Sequence, residues 1–135
     1  MSGPRRLALR AAALAAAVFG VLTIRSGGAV LFGPPEAAQA AGQVVPFVLW
    51  FNFLAGFAYL AAAAGLWLAA RWGAWTAAAI AAATALVFAL LGLAVASGTA
   101  YEMRTVWAMA LRTGFWAAVA ALAWTLRPRP RPDPM

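Results

Sequence analysis

The stretch from Trp72 to Val95 holds no charged residue, and three further runs, at about 7–32, 45–70 and 103–126, are almost as apolar. A bilayer's hydrocarbon core is about 30 Å thick, and about 20 apolar residues of helix cross it. No water is present there to satisfy open backbone groups, so runs of this length are expected as helices rather than as loops or lone strands. The expected fold is all-α: a polytopic membrane protein in which the four runs (7–32, 45–70, 72–95, 103–126) form a four-helix transmembrane bundle. That bundle occupies residues 1–126. The rest, 127–135, alternates Arg and Pro before Asp133 and is expected to be a flexible cytoplasmic tail of polyproline II character. Composition agrees, because 66% hydrophobic and 10% charged residues could not give a soluble globule a polar surface.

The breaks between runs carry their own signals. Gly33, Pro34 and Pro35 end the first, and Glu36 to Gln43 read as a polar connection capping one side of the bundle. Pro46 opens the second run, where a missing N–H costs nothing; Arg71 closes it, and Ser97, Gly98 and Thr99 form the next turn. A basic start before an Ala-rich run would also suit a cleaved signal peptide, but no clear polar region with a small-x-small site follows, so a retained first helix is expected.

Arginine sets the orientation. Arg5, Arg6 and Arg10, then Arg71, then Arg127, Arg129 and Arg131 all fall on one side, while Arg25 and Arg104 on the other are diluted by Glu36 and Glu102. Positive charge stays in the cytoplasm, so both termini are expected there, in a bacterial inner membrane. Trp67, Trp72, Trp75 and Trp124 then gather at the inner interface and Trp50 and Trp107 toward the outer one, as an aromatic belt requires. The net charge of +7 is accounted for by orientation and lipid contact, and nucleic acid is not expected as a partner.

Candidate chemistry lies in the outer half. Arg25 is about 22 Å up the first helix from Arg10, and Arg112 about 22 Å up the fourth from Arg127, so both are expected at similar depth below the outer surface. An arginine in hydrocarbon needs a partner or water. Glu36, Asn52, Glu102, Thr23, Ser26, Tyr101 and Thr113 are the candidates, and Arg104 makes three arginines against two glutamates. The cluster Arg25, Glu36, Asn52, Tyr101, Glu102, Arg104 and Arg112 reads either as a latch pinning the outer connection or as a pocket for an anionic lipid or small anion.

Other chemistry has little to work with. Cysteine and histidine are both absent, which removes disulfides, thiol chemistry, zinc and histidine-ligated haem. Met103 and Met109 do not share a helix face, so they make no copper site. No phosphate-binding loop or metalloprotease motif occurs, and no catalytic residue, metal or cofactor is expected. Small residues at Ala61 to Gly65, Ala77 to Ala85 and Gly92 to Gly98 suit close helix packing.

The run Thr23, Ile24, Arg25, Ser26, Gly27, Gly28, followed by Pro46 and Phe47 opening a helix with Gly56, Gly65 and Leu66, resembles the layout of small DoxX-like bacterial membrane proteins. The stretch from Tyr101 to Arg112 is similar to small four-helix proteins of that size. The resemblance implies an accessory or partner subunit of a membrane redox or quinone-linked system; it transfers no catalytic residue. The expected function is accordingly an accessory subunit or assembly partner of a larger membrane complex. The alternatives are a lipid or anion binder using the outer cluster and a homo-oligomeric small transporter. The lipid bilayer and a membrane-protein partner or a second copy are the expected contacts.

Overall fold

The computed structural model describes residues 2–127 and 134, so Arg129, Arg131 and Asp133 of the expected tail lie outside the described residues. Among the described residues five helices follow in order: α1 (Gly3–Phe32), α2 (Pro35–Ala41), α3 (Pro46–Trp67), α4 (Arg71–Ala96) and α5 (Met103–Leu126). Four of them, α1, α3, α4 and α5, are long and apolar enough to cross a membrane, with mean hydropathy between 1.4 and 2.5 in their most apolar windows. The protein is all-α, and its large exposed side chains, Leu14, Val18, Leu22, Leu93 and Trp107 among them, are those of a membrane-embedded surface.

Two details differ from the sequence reading. The connection from Glu36 to Gln43 is not irregular throughout, because Pro35 restarts the chain as α2, with Glu36 in its first turn where a carboxylate favours the helix dipole. α3 ends at Trp67, short of Ala70, in a paired reversal: the Ala70 amide donates to the Gly65 carbonyl at 2.9 Å and the Ala69 amide to the Leu66 carbonyl at 3.1 Å. That reversal puts Ala69 at φ 51°, in the left-handed region. α4 ends in the same motif, with the Thr99 amide on the Ala94 carbonyl, but there the left-handed position holds Gly98.

Each long helix packs on the next: α1 on α3, α3 on α4 and α4 on α5. Lipid supplies no hydrophobic drive between helices, so contact comes from close backbone approach at small residues. A Cβ added to Gly56 would lie 2.7 Å from Ile24 Cγ1, and one added to Gly73 would lie 2.6 Å from the Gly65 backbone. Ala13, Ala16, Ala62, Ala77 and Ala123 fill the layers between, around Tyr59 and Trp116, both fully buried. A second cluster of Val45, Val48, Leu91 and Met109 closes the other end of the bundle. α1 and α5 meet only weakly, which leaves a seam between them.

The end carrying the N terminus is ringed by arginine and tryptophan. Arg10 stacks over Trp67 at 4.6 Å, Arg127 over Trp124 at 4.1 Å, and Trp124 meets Trp75 edge to face at 4.9 Å. At the opposite end Trp50 packs on Phe32 at 5.9 Å. Amphipathic rings and guanidinium groups at both rims suit a headgroup layer on each side.

Gly73→Ala forces backbone apart at the α3–α4 crossing and is expected to destabilise the protein by about 1–3 kcal/mol. Ala69→Gly relieves the left-handed strain and is expected to stabilise it by about 1 kcal/mol. Reversible unfolding of the two variants in mixed micelles checks both signs.

Candidate functional site

Gly20, Thr23 and Gly27 recur on one face of α1, and the two glycines let that face press onto α3, with Gly20 against the Gly56 carbonyl and Gly27 against Phe53. Thr23, between them, is carried into the bundle and is only 3% exposed. From α3, Tyr59 reaches the same level, fixed edge to face on Phe19 at 5.5 Å and against Trp116 at 4.8 Å. Arg112 on α5 sits beside the buried row of Met109 and Trp116, so its half-buried side chain enters the space between Thr23 and Tyr59.

The Arg112 guanidinium donates from Nη1 to Thr23 Oγ1 at 2.9 Å and to Tyr59 Oη at 3.3 Å, and it lies over the Phe19 ring at 4.9 Å. Its Nε is buried with no hydrogen-bond partner. All these contacts are neutral: two hydroxyls and a ring solvate the cation without cancelling its charge. In a hydrocarbon layer a lone arginine near the centre costs about 2.5 kcal/mol or more. Met103 opens α5 about 13 Å above Arg112, so the group lies well below that helix end.

The seam between α1 and α5 widens here into a groove of about 810 Å³, open along the side of the bundle. Leu14, Val18, Phe19 and Leu22 line one wall, Leu111 and Phe115 the other, and Arg112, Thr23 and Ser26 form its polar head. From Leu14 to Ser26 the wall runs about 18 Å along α1. An open apolar groove with one cationic end suits a molecule with an apolar chain and an acidic head.

The remaining predicted residues fall elsewhere. Glu102 Oε1 accepts the Gln43 amide at 3.0 Å, and Arg104 Nη2 donates to the carbonyls of Ala40 and Ala41 at 3.2 and 3.3 Å. Arg104 thus supplies a cation and donors to the last turn of α2, whose carbonyls have no helical partner. Both residues border a second cavity of about 250 Å³, with Asn52, Thr105 and Ala108 also lining it. Asn52 Oδ1 is buried with no hydrogen-bond partner. Tyr101 packs on the Val45, Val48, Leu91 and Met109 cluster. Arg25 is exposed on α1, two residues and about 200° from Thr23. Glu36 is exposed in the first turn of α2.

Among the described residues, the hydrogen bonds of the cluster run to hydroxyls and backbone, and none joins an arginine to a glutamate. Of the hydroxyl candidates, Thr23 meets Arg112 and Ser26 lines the groove head, whereas Thr113 donates to its own helix at the Met109 carbonyl. Tyr59 and Phe19 are the site residues the sequence reading missed. The available signal was spacing: Tyr59 stands seven residues after Asn52, on the same face of α3. Among the described residues, no group of three His, Cys, Asp or Glu lies close enough to hold a metal.

If Thr23 is held in place for Arg112, Thr23→Val is expected to cost about 1.5–3 kcal/mol in the native chain and far less in an Arg112→Met background. Arg25→Ala is expected to stay within about 0.5 kcal/mol. Unfolding of the single and double variants in mixed micelles measures the coupling.

Comparison of the chain with protein-family models, with curated proteins and with solved structures gives no match, so the chemistry of the site stands on its own residues.

Proposed function

We propose that this protein binds an anionic amphiphile within the membrane, its acidic head on Arg112 and its apolar chain in the groove between α1 and α5. The observation that carries the reading is a cation at the head of an apolar groove whose contacts among the described residues are all neutral. A carboxylate or phosphate there would complete the charge balance that Thr23 and Tyr59 leave open, through hydrogen bonds that charge on both partners strengthens. The groove opens toward lipid, so the ligand enters sideways from the bilayer. The setting we infer is a bacterial inner membrane with both termini cytoplasmic, which the arginine distribution supports.

A second reading keeps the same surface for a protein. Leu14, Val18 and Leu22 stand four residues apart as an exposed ridge on α1, the spacing that a neighbouring transmembrane helix packs against. A partner seated there would make the chain an accessory subunit of a larger complex.

Native mass spectrometry of the purified protein, titrated with oleate and with its uncharged methyl ester, tests the first reading. Oleate is expected to bind at least tenfold more tightly than the ester, and Arg112→Ala to remove that preference, since a hydrogen bond to a charged group contributes about 1.5–3 kcal/mol. Equal retention of both probes, or an oleate preference unchanged by Arg112→Ala, would overturn it. A stoichiometric protein partner that leaves when Val18→Trp fills the ridge would favour the second.

A further inference from the structure

Arg25 is a cation that the bundle leaves alone. Among the described residues, the side-chain hydrogen bonds of arginine are those of Arg104, Arg112 and Arg127, and the aromatic rings that arginines cover are covered by Arg10, Arg112 and Arg127. Arg5, Arg6 and Arg71 stand in the first turns of α1 and α4, at a rim that headgroups and water reach. Arg25 instead stands well inside the length of α1, exposed on the outside of the bundle.

Its height makes that position costly. Phe32, the last residue of α1, packs on Trp50 at one rim, and Arg25 lies about 10 Å below it along the helix. Arg10, stacked on Trp67 at the opposite rim, is about 22 Å away in the other direction. A helical side chain leans toward the N-terminal end of its own helix, so the Arg25 stem points into the bilayer and away from the nearer rim. Snorkelling to the nearer headgroups runs against that lean.

Rotation adds a second constraint. Leu7, Leu14 and Val21 follow one another at a spacing of seven, as do Val18, Arg25 and Phe32, and all six are exposed. Together they step by four and three along α1 from Leu14 to Arg25, the pattern of a seam into which another helix packs at about 20°. Leu14 and Val18 also border the groove, whereas Val21 and Arg25 lie outside it, each about 200° around α1 from Thr23.

Lipid tails or a wholly apolar helix would cover the leucines and valines of this seam and leave the guanidinium bare. A second copy of the chain brings it no carboxylate from the described residues. Glu36 lies in α2, beyond Phe32, and Glu102 is the N-cap of α5, so both stand at the end of the bundle rather than within a long helix.

We infer that this face of α1 is an interface for a transmembrane helix of a different protein, and that the helix carries a carboxylate at the level of Arg25. The inference rests on the second reading above, in which a helix packs on α1, and it names the chemistry of that helix. The pair sets partner and register together. A helix without the carboxylate leaves Arg25 unmet, and one carrying it a full turn away, about 5 Å, misses the guanidinium fork.

The chain contains no cysteine, so Ser2→Cys carries a single donor dye. Energy transfer in phosphatidylcholine vesicles is measured to an acceptor-labelled synthetic helix of Leu and Ala with one Glu about 10 Å from one end, and to its wholly apolar counterpart. The Glu helix is expected to associate with the native chain at least about tenfold more tightly than the apolar helix, and to lose that preference with Arg25→Leu. Equal association of the two helices would overturn the carboxylate and leave a helix partner on α1 standing, whereas association of neither would overturn both. A Glu preference that survives Arg25→Leu would place the pairing elsewhere and overturn the inference. Arg25→Leu is checked for native unfolding temperature, and should it fail to fold, Arg25→Gln gives the same reading with the same outcomes.

Discussion

A guanidinium ion cannot lie bare in hydrocarbon, and much of this bundle is arranged around meeting that demand at Arg112. Its two hydroxyl acceptors come from different helices, Thr23 on α1 and Tyr59 on α3, and each is held in place by the packing of the core. Thr23 faces inward because Gly20 and Gly27 bring α1 close to α3. Tyr59 points correctly because Phe19 and Trp116 hold its ring. Three long helices, α1, α3 and α5, thus converge on one side chain.

The same packing explains why a groove exists. Close approach at Gly20 and Gly56, and again at Gly65 and Gly73, draws α1, α3 and α4 together in sequence. α5 joins through α4 and through Trp116, and the circuit back to α1 stays loose. The loose side is where Leu14, Val18 and Leu22 face Leu111 and Phe115. In lipid such a seam carries little penalty, since acyl chains fill it about as well as side chains do. What distinguishes this seam is the charge at its head.

The membrane architecture was legible in the sequence because span length and hydropathy are properties of the chain read in one dimension. Gly33, Pro34, Pro35, Pro46 and Arg71 marked the breaks, and the four long helices fall close to them. α2 was hidden because the polarity of Glu36 to Gln43 masked the helical preference of an Ala-rich segment that starts on Pro35. The early end of α3 was hidden because a left-handed alanine at position 69 has no sequence signature. The site was half legible. Counting residues gives depth, and it set Arg112 level with Arg25, two residues from the Thr23 that Arg112 meets. Counting charges gives no rotation, so Arg25, at a similar height, turned out to face away, and the glutamates proved to serve the α2 connection and its exposed first turn. Tyr59 went unnoticed because a phenol in an apolar run looks like packing until a cation is placed against it.

The central proposal is that Arg112 meets only neutral groups among the described residues and takes its counter-charge from a ligand in the groove. A cryo-electron-microscopy map of the protein in lipid nanodiscs, with a rigid binder attached to add mass, tests this most directly. The account predicts elongated density between α1 and α5, alongside Leu14, Val18 and Leu22, ending within about 3 Å of the Arg112 guanidinium. A carboxylate of the protein itself or of a second copy at that guanidinium, or a groove filled by lipid tails with no density reaching Arg112, would contradict it.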